Sequence, residues 1–396
     1  MRFIHLADLH IGKSVNGFSM LEEQRNAFRQ ILEYIRTERP AAVVIAGDVY
    51  DRASPGVEAV RLFDDFLTEL AGENTAVLLI SGNHDSPERL GYAGRLLADR
   101  RLYLCGSFDG ALRDVALDDE FGRVHFRLLP FIKPSILRGK TVSGEASDES
   151  GREIESYGDA LEAALAASDI DCAARNVLVS HQFYTRAGIE PVRSESEMNP
   201  VGGLDAVDAG LIEKFDYAAL GHLHGAQSVG AEHIRYAGSP VKYSFSEWRQ
   251  KKSVTLVELR EKGNITITAL PLVPLRDMRE IRGELEELLG SDKFTDAGAT
   301  ARAGRDDYLR VILTDEDEII DPMGKLRSVY PNVMALDFEN SRTRADMLNI
   351  LPDAGAAETL SPYELFGEFF LDTQGAAMSA EQAKIVRELL ETEDEG

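Results

Sequence analysis

Five short apolar runs punctuate the first 270 residues: Phe3-Ile4-His5-Leu6, Val43-Val44-Ile45, Val77-Leu78-Leu79-Ile80, Val177-Leu178-Val179 and Ala218-Ala219-Leu220. Runs of this length without polar alternation predict buried strands. Leu21, Phe28, Ile31, Leu32 and Ile35 form one stripe at helical spacing, and Val57, Val60, Phe63, Leu67 and Leu70 form another. Both predict amphipathic helices, and a further helix is expected over residues 87–100. Residues 234–237, 254–259 and 265–270 read as strands whose alternation suggests antiparallel pairing. The pattern is α/β, built as a mixed sheet or as two packed sheets with outer helices.

Polar, Ser- and Gly-rich residues 138–156 read as a surface loop. Pro271 and Pro274 mark a boundary. A strand near residues 279–281, a helix over 284–289, a strand over 308–313, a helix over 323–329 and a strand over 333–338 then make a small α/β domain. Beyond Asn340 two helices are expected. Ser361-Pro362 supplies an N-cap with proline at the first helical position, and Ser379-Ala380-Glu381-Gln382 a capping box. Between them Leu365, Phe366, Phe369 and Phe370 form an aromatic stripe suited to the chain's own body or to a partner's groove. The expected domains are thus 1–270, 271–340 and a tail, 341–396.

Composition changes this picture little. At 396 residues, 44% apolar and 28% charged, the chain is long enough for more than one core. It holds no apolar run of about 18 residues, the length a membrane helix requires. Met1-Arg2-Phe3-Ile4 leads straight into a strand rather than a signal peptide. Cys105 and Cys172 lack C-x-x-C partners, so a disulfide framework is not expected and a reducing cytoplasm is. The net charge of −25 carries more information. It argues against broad, independent nucleic-acid binding. A metal-centred site with a local basic strip fits it, as does a partner that supplies the phosphate-binding surface.

The candidate chemistry sits where the five runs end: Asp8-Leu9-His10, Gly47-Asp48-Val49-Tyr50-Asp51, Gly82-Asn83-His84-Asp85, Ser180-His181 and Gly221-His222-Leu223-His224. Five of the eight histidines lie in these motifs, along one rim of a sheet, where α/β proteins build sites. In extended chain, residues i and i+2 point the same way. Asp8 and His10 are therefore expected to reach one ion together, and His222 and His224 one ion each of a pair. Asp48 suits a bridging position, while Asn83 and His181 add an amide oxygen and an imidazole. Mixed nitrogen and oxygen ligation without sulfur favours Mn²⁺, Fe²⁺ or Mg²⁺ over structural zinc. Two ions about 3.5–4 Å apart acidify an attacking water and clamp an in-line displacement at phosphorus. His84, outside the ligand count, is placed to touch the phosphate. Asp85, grouped with it as catalytic, and Asp51 are placed to orient a histidine.

These motifs, in this order, resemble those of the calcineurin-like metallophosphoesterases over residues 1–270. The resemblance implies two packed mixed β-sheets flanked by helices. It implies one ion on Asp8, His10, Asp48 and His224, a second on Asp48, Asn83, His181 and His222, and His84 as the catalytic histidine. Asp51 stands where some relatives carry a histidine. The stretch Tyr236-Ala237-Gly238-Ser239-Pro240-Val241-Lys242-Tyr243-Ser244-Phe245-Ser246-Glu247, with Lys251-Lys252-Ser253-Val254, narrows the resemblance. So does Val201-Gly202-Gly203. Both are similar to a branch of bacterial nuclease subunits that work with an SMC-type ATPase. That branch implies Mn²⁺, DNA as substrate, a capping domain, tail helices that grip the ATPase, and a homodimer within a heterotetramer. Its helices over residues 56–70 and 87–100 would pair with those of a second copy.

Between residues 234 and 253 five basic side chains face one acid, Glu247, so Lys242, Arg249, Lys251 and Lys252 are candidate contacts to a DNA backbone. Two other functions compete: a small-substrate phosphodiesterase of the same superfamily, and a scaffold without chemistry. The two C-terminal modules argue against the first, and the intact ligand set against the second.

Overall fold

The computed structural model describes residues 1–141, 154–197, 206–290, 304–341 and, beyond them, 366, 367, 369–371, 378, 379, 382, 383 and 386. Two six-stranded sheets dominate. The first runs, edge to edge, Ile265–Pro271, Ser253–Leu259, Arg2–Leu6, Ala42–Ala46, Ala76–Ile80 and Leu102–Cys105. Its last four strands are mutually parallel and its first two pair antiparallel. The second runs Gln227–Val229, Ala231–Tyr236, Tyr217–Gly221, Arg175–His181, Gly122–Leu129 and Arg113–Asp119, with four parallel strands between antiparallel edges.

The period-2 alternation of the strands explains the packing. Phe3, Val44, Leu78 and Ile80 of the first sheet face Val124, Phe126, Val177, Val179 and Tyr217 of the second, forming a buried seam. The alternate residues Ile4, Leu6, Val43, Ile45, Val77 and Leu79 face outward onto the helices Leu21–Glu38 and Val57–Gly72. Leu178, Leu220 and Ile234 of the second sheet pack instead against the helix Tyr157–Ala166. This is the architecture of two packed sheets with outer helices. Among the described residues no helix is long and apolar enough to cross a membrane.

Several expected elements shift. The Val57–Gly72 helix buries Ala59, Leu62, Phe63, Phe66 and Leu70, and leaves Val57 66% and Val60 44% exposed. Residues 87–100 form three short pieces, Pro87–Leu90, Gly94–Leu97 and a 3₁₀ turn Ala98–Arg100. Ala93 at φ +58° breaks the helical path between them. Residues 138–141 close a helix that begins at Pro134, and Ser156 caps the next helix in a box with Asp159. Residues 142–153 lie outside the described part, as do Val201-Gly202-Gly203, Leu365 and the Ser361-Pro362 cap. Ser379 and Gln382 do exchange the two hydrogen bonds of a capping box.

The chain packs as two compact units. The larger takes in Met1–Ile281, Leu289–Val311 and Met323–Leu336, the smaller Arg282–Leu288, Ile312–Pro322 and residues from Asp337 onward. Residues 271–340 are therefore shared between them. In the larger unit Met278, Tyr308 and Met334 pack with Val15, Met20, Tyr243 and Phe245. In the smaller, Arg282 pairs with Glu339 at 2.8 Å, and Asp315 caps the turn at Leu285.

Candidate metal centre

Asp8, Asp48 and Asn83 follow three parallel strands of the first sheet, while His181 and His222 stand at or just past the ends of two parallel strands of the second. Both sheets thus present their C-terminal rims to one place. The backbone there departs from the extended geometry assumed for Asp8 and His10. Asp8 (φ +53°), His10 (+41°), Asp48 (+50°) and His222 (+111°) all sit at positive φ. Such conformations cost roughly 1–3 kcal/mol each and persist only where the surroundings impose them. Here the loops lace together. Asp8 N–H donates to Gly47 O (3.1 Å), His10 N–H to Asp48 O (2.9 Å), His84 N–H to Asp48 Oδ1 (2.9 Å) and His222 N–H to Asp8 Oδ1 (2.8 Å).

The side chains converge in three overlapping groups among the described residues. Ligand atoms of Asp8, His10 and His224 lie within 4.8 Å of one another, as do those of Asp8, Asp48 and His181 and those of His10, Asp48 and His84. His10 Nε2 lies 3.1 Å from His224 Nε2 and 3.6 Å from Asp48 Oδ2. Across the pocket, His181 Nε2 is 3.3 Å from Asp48 Oδ2 and 3.1 Å from Asn83 Oδ1, which in turn lies 3.2 Å from His222 Nδ1. Six ligands at about 2.1 Å from an ion stand about 3 Å from their neighbours, and these separations match that spacing. All seven candidate ligands therefore meet, and Asp48 Oδ2 lies within 3.6 Å of both His10 and His181.

The electrostatics also fit cations. Burial pushes the Asp8 carboxyl well up, and Asp8 Oδ2 and His10 Nδ1 are buried without a hydrogen-bond partner. Burial opposes a proton on His181, yet the Asp48 carboxylate beside it holds the ring up to about 9. Burial also drives His10 well down. A pocket that must recruit a proton to balance its carboxylates, and leaves an acceptor bare, suits positive ions.

His84 is half-buried beside this group, its ring 4.8 Å from that of His10, and its Nδ1 donates to the main-chain carbonyl of Asp51 (3.0 Å). Asp51 thus orients a histidine through its backbone, while its carboxylate pairs with Lys13 at 2.8 Å. Asp85 has no catalytic posture. Its buried carboxylate accepts from the N–H groups of Gly82 (2.9 Å), Tyr50 (2.9 Å) and Val49 (3.1 Å), tying two ligand loops together. With both oxygens engaged by backbone donors, this carboxylate serves to hold the loops.

The basic strip also divides. Lys252 is buried with four acceptors within 2.9 Å of its ammonium, so it is withdrawn from the expected DNA-facing set. Lys242 is held by Asp277 (2.7 Å) and Trp248 O (2.6 Å). Arg249, stacked on Trp248 at 4.5 Å, and Lys251 are exposed.

Residues with no role in the sequence reading complete the site. Gln24 donates to His10 O (2.8 Å) and to Tyr243 Oη (2.9 Å), and Tyr243 donates to Leu9 O. Ser196 Oγ and Glu247 Oε1 lie 3.0 and 3.2 Å from His224 Nδ1, and the His224 N–H donates to Glu197. Burial opposes charge on Glu247, but the Lys252 ammonium and the His224 ring hold its carboxyl down at about 2. Arg193 lies flat on Phe183 at 3.6 Å, and that ring is 6.1 Å from the His222 ring. Of these, Tyr243 and Glu247 carry a signal in the sequence, both within the stretch over residues 236–247 and Glu247 also as the sole acid in a basic stretch.

The chain is similar to known proteins over most of its length. The calcineurin-like phosphoesterase family matches residues 1–226, and the type 5 capsule protein repressor C-terminal domain matches residues 274–374. Over 341 residues the chain is 33% identical to the SbcD subunit of the nuclease SbcCD of Staphylococcus epidermidis, a span that covers 85% of each chain. A crystal structure of a dimetal phosphatase from Danio rerio aligns with 69% of this chain and 97% of its own, at 12% identity and a TM-score of 0.38.

Proposed function

The chain belongs to the calcineurin-like phosphoesterases, in the branch of the SbcD subunit of the nuclease SbcCD, and from that premise we propose that it is the metal-dependent DNA nuclease subunit of an SbcCD-type complex. It hydrolyses phosphodiester bonds, cutting single strands endonucleolytically and trimming duplex ends 3′ to 5′. An SbcC-like SMC-type ATPase supplies the ATP-driven step. The setting is DNA end processing in repair, recombination and replication, in the cytoplasm. One observation carries the reading: seven candidate ligands converge on one pocket in which Asp48 Oδ2 lies within 3.6 Å of both His10 and His181, with His84 beside them.

Asp8, His10, Asp48 and His224 would hold one divalent ion and Asp48, Asn83, His181 and His222 the other, with Mn²⁺ preferred for their mixed nitrogen and oxygen donors. Bound ions lend Lewis acidity to the phosphodiester and to the attacking water. The chain's own residues do the rest. Asp48 is fixed by the His84 N–H, and Asp85 holds the Asp48 and Asn83 loops in register. His84, with Nδ1 committed to Asp51 O, turns Nε2 to the phosphate, where it stabilises developing charge or protonates the leaving oxygen.

The net charge of −25 supports a division of labour in which the ATPase shares the DNA-holding surface, leaving Arg249 and Lys251 as local backbone contacts. The exposed Phe366 and Phe369 of the tail, with Phe370, suit a coiled-coil groove on that partner. Exposed Val57, Val60, Tyr92 and Leu96 suit a second copy of this chain. Arg89 brings their two segments together by donating to Ala53 O (3.3 Å) and Ser54 Oγ (2.7 Å).

The test is Mn²⁺-dependent cleavage of labelled single-stranded and duplex DNA by the wild type, Asp48→Asn and His84→Ala. Wild-type cleavage with loss in both variants is expected. Equal cleavage by wild type and Asp48→Asn would remove the reading. Hydrolysis of bis-p-nitrophenyl phosphate without any DNA cleavage would replace it with a small-substrate phosphodiesterase.

A further inference from the structure

The candidate ligand histidines are not supported alike. His181 Nδ1 faces a neutral main-chain carbonyl, Ala46 O, at 2.8 Å. His10 Nδ1 makes no hydrogen bond, its nearest carboxylate oxygen being Asp51 Oδ1 at 3.8 Å. His224 Nδ1 instead faces the fully buried carboxylate of Glu247 at 3.2 Å, with Ser196 Oγ bridging the two at 3.0 and 3.1 Å. Behind that carboxylate stands Lys252. Its ammonium lies 2.6 Å from Glu247 Oε2, 2.8 Å from Gln250 Oε1, and 2.9 Å from both Ser239 Oγ and the carbonyl of His224 itself. The same lysine therefore grips His224 twice, through its backbone and through the carboxylate on its ring. The turn holding Ser239 is pressed against this loop, since a Cβ on Gly238 would lie 2.8 Å from His224 O and 2.7 Å from Ala226 N.

A buried ion pair is seldom a net gain in stability, because desolvation offsets the attraction. What this one does is directional. A carboxylate accepting from Nδ1–H fixes the tautomer, aims the Nε2 lone pair into the pocket and raises the basicity of the ring toward a cation. A neutral carbonyl aims a ring equally well but donates less charge. Lys252 keeps the carboxylate in place and supplies the compensating charge that permits it to be buried.

We propose that Glu247 and Lys252 are positioning residues for one ion of the pair, the ion held through His224, and that they make the two halves of the centre unequal in affinity. This rests on the two-ion reading of the site, and it assigns to Lys252 a role inside the protein rather than on DNA.

Manganese titration of the full chain by calorimetry, followed by electron paramagnetic resonance, tests it without reference to activity. Four proteins are compared: wild type, Glu247→Gln, the double variant Glu247→Gln/Lys252→Met, and Asn83→Ala. The wild type is expected to bind two ions and give an exchange-coupled spectrum. Glu247→Gln is expected to weaken one ion about 10–100-fold, the usual effect of losing a partner behind a ligand. Its second ion stays within about threefold, and a six-line mononuclear signal replaces the coupled one. Asn83→Ala is expected to weaken the other ion instead. The double variant removes both buried charges together, so it retains its fold where a lone charge would not, and it is expected to show the same one-ion loss. Two unchanged affinities in the double variant, or a parallel fall of both ions in each Glu247 variant, overturns the proposal. A wild type that takes up a single ion overturns the two-ion reading beneath it.

Discussion

Gly82 approaches Asp48 more closely than any side chain would allow: a Cβ there would lie 2.1 Å from Asp48 Oδ1 and 2.4 Å from its amide nitrogen. Both neighbours are parts of the ligand loop, and neither can retreat without moving the shared carboxylate. Gly82→Ala is therefore expected to lower Mn²⁺ affinity about 10–100-fold, by analogy with lost ligand support, while the far-ultraviolet circular dichroism stays that of the wild type. Calorimetric titration of the two proteins checks this, and equal affinities would refute it. The contact between Asp51 and His84 makes a second distinction at this scale. Because His84 Nδ1 uses the main-chain carbonyl of Asp51, Asp51→Ala keeps that bond and removes the carboxylate's pairing with Lys13 and its longer approaches to Arg52 (3.6 Å) and His10 Nδ1 (3.8 Å). Its rate of DNA cleavage is expected to stay within about tenfold of wild type, while His84→Ala falls by about 10²–10⁴, the range for a lost general acid. Equal losses would mean that the Asp51 carboxylate itself takes part.

The elements are held in place by polar ties as much as by apolar faces. From the Leu21–Glu38 helix Gln24 reaches His10 O, Gly12 N and Tyr243 Oη, so an outer helix sets the height of a ligand loop. At the opposite end of the sandwich Arg175 donates to Asp119 (Nη1 to Oδ2 3.1 Å), to Gly122 O (2.7 Å) and to Arg260 O (2.6 Å). It thereby joins an edge strand of one sheet to a strand end of the other. Burial works against charge on Asp119, but Arg175 and the chain's amino group hold its carboxyl down at about 2. A carboxyl depressed in the folded state stabilises above its unfolded value of about 3.9 and loses that contribution as pH falls from about 4 toward 2. The loss is expected to be on the order of 1–2 kcal/mol, discounted for partial solvent access. Urea unfolding at pH 5 and pH 3 tests it. The wild type should lose more stability between the two than Asp119→Asn, and identical losses would count against the tie.

For the whole molecule the decisive quantities are surface ones. Val57, Val60, Tyr92 and Leu96 are 44–81% exposed, a grouping that a lone soluble chain seldom leaves bare. The full chain is expected to run as a dimer in light scattering at micromolar concentration, and Val57→Glu/Leu96→Glu as a monomer with an unchanged melting temperature. A monomeric wild type would leave the patch without its proposed occupant. With a net charge of −25, the isolated chain should bind long duplex DNA weakly and lose it steeply as salt rises. Deleting residues 341–396 is expected to abolish co-purification with the ATPase and to spare metal-dependent cleavage. Loss of both in a folded deletion would contradict the separation of tail from site.

The sequence by itself indicated the five strands that lead into the site and the seven candidate ligands after them, because a buried parallel strand is an unbroken apolar run, and a rim site places its polar residues directly after one. The strands Leu102–Cys105, Arg113–Asp119 and Gly122–Leu129 emerged only in the structure. The sequence also indicated the tail's capping box, which rests on a short-range pattern. Its pattern left one mixed sheet or two packed sheets open, and only the motifs' family resemblance pointed to two. Only the tertiary structure decided the rest. Val57 and Val60 fit a helical stripe as well as Ala59 and Phe66 do, and contact with the sheet alone selects which face is buried. Asp85 and Lys252 carry the charges of a catalytic acid and a DNA contact, yet folding turned one onto three amides and the other onto Glu247 and His224. Charge is written in the residue. The partner that satisfies it comes from segments distant in the chain, and no local pattern records which one arrives.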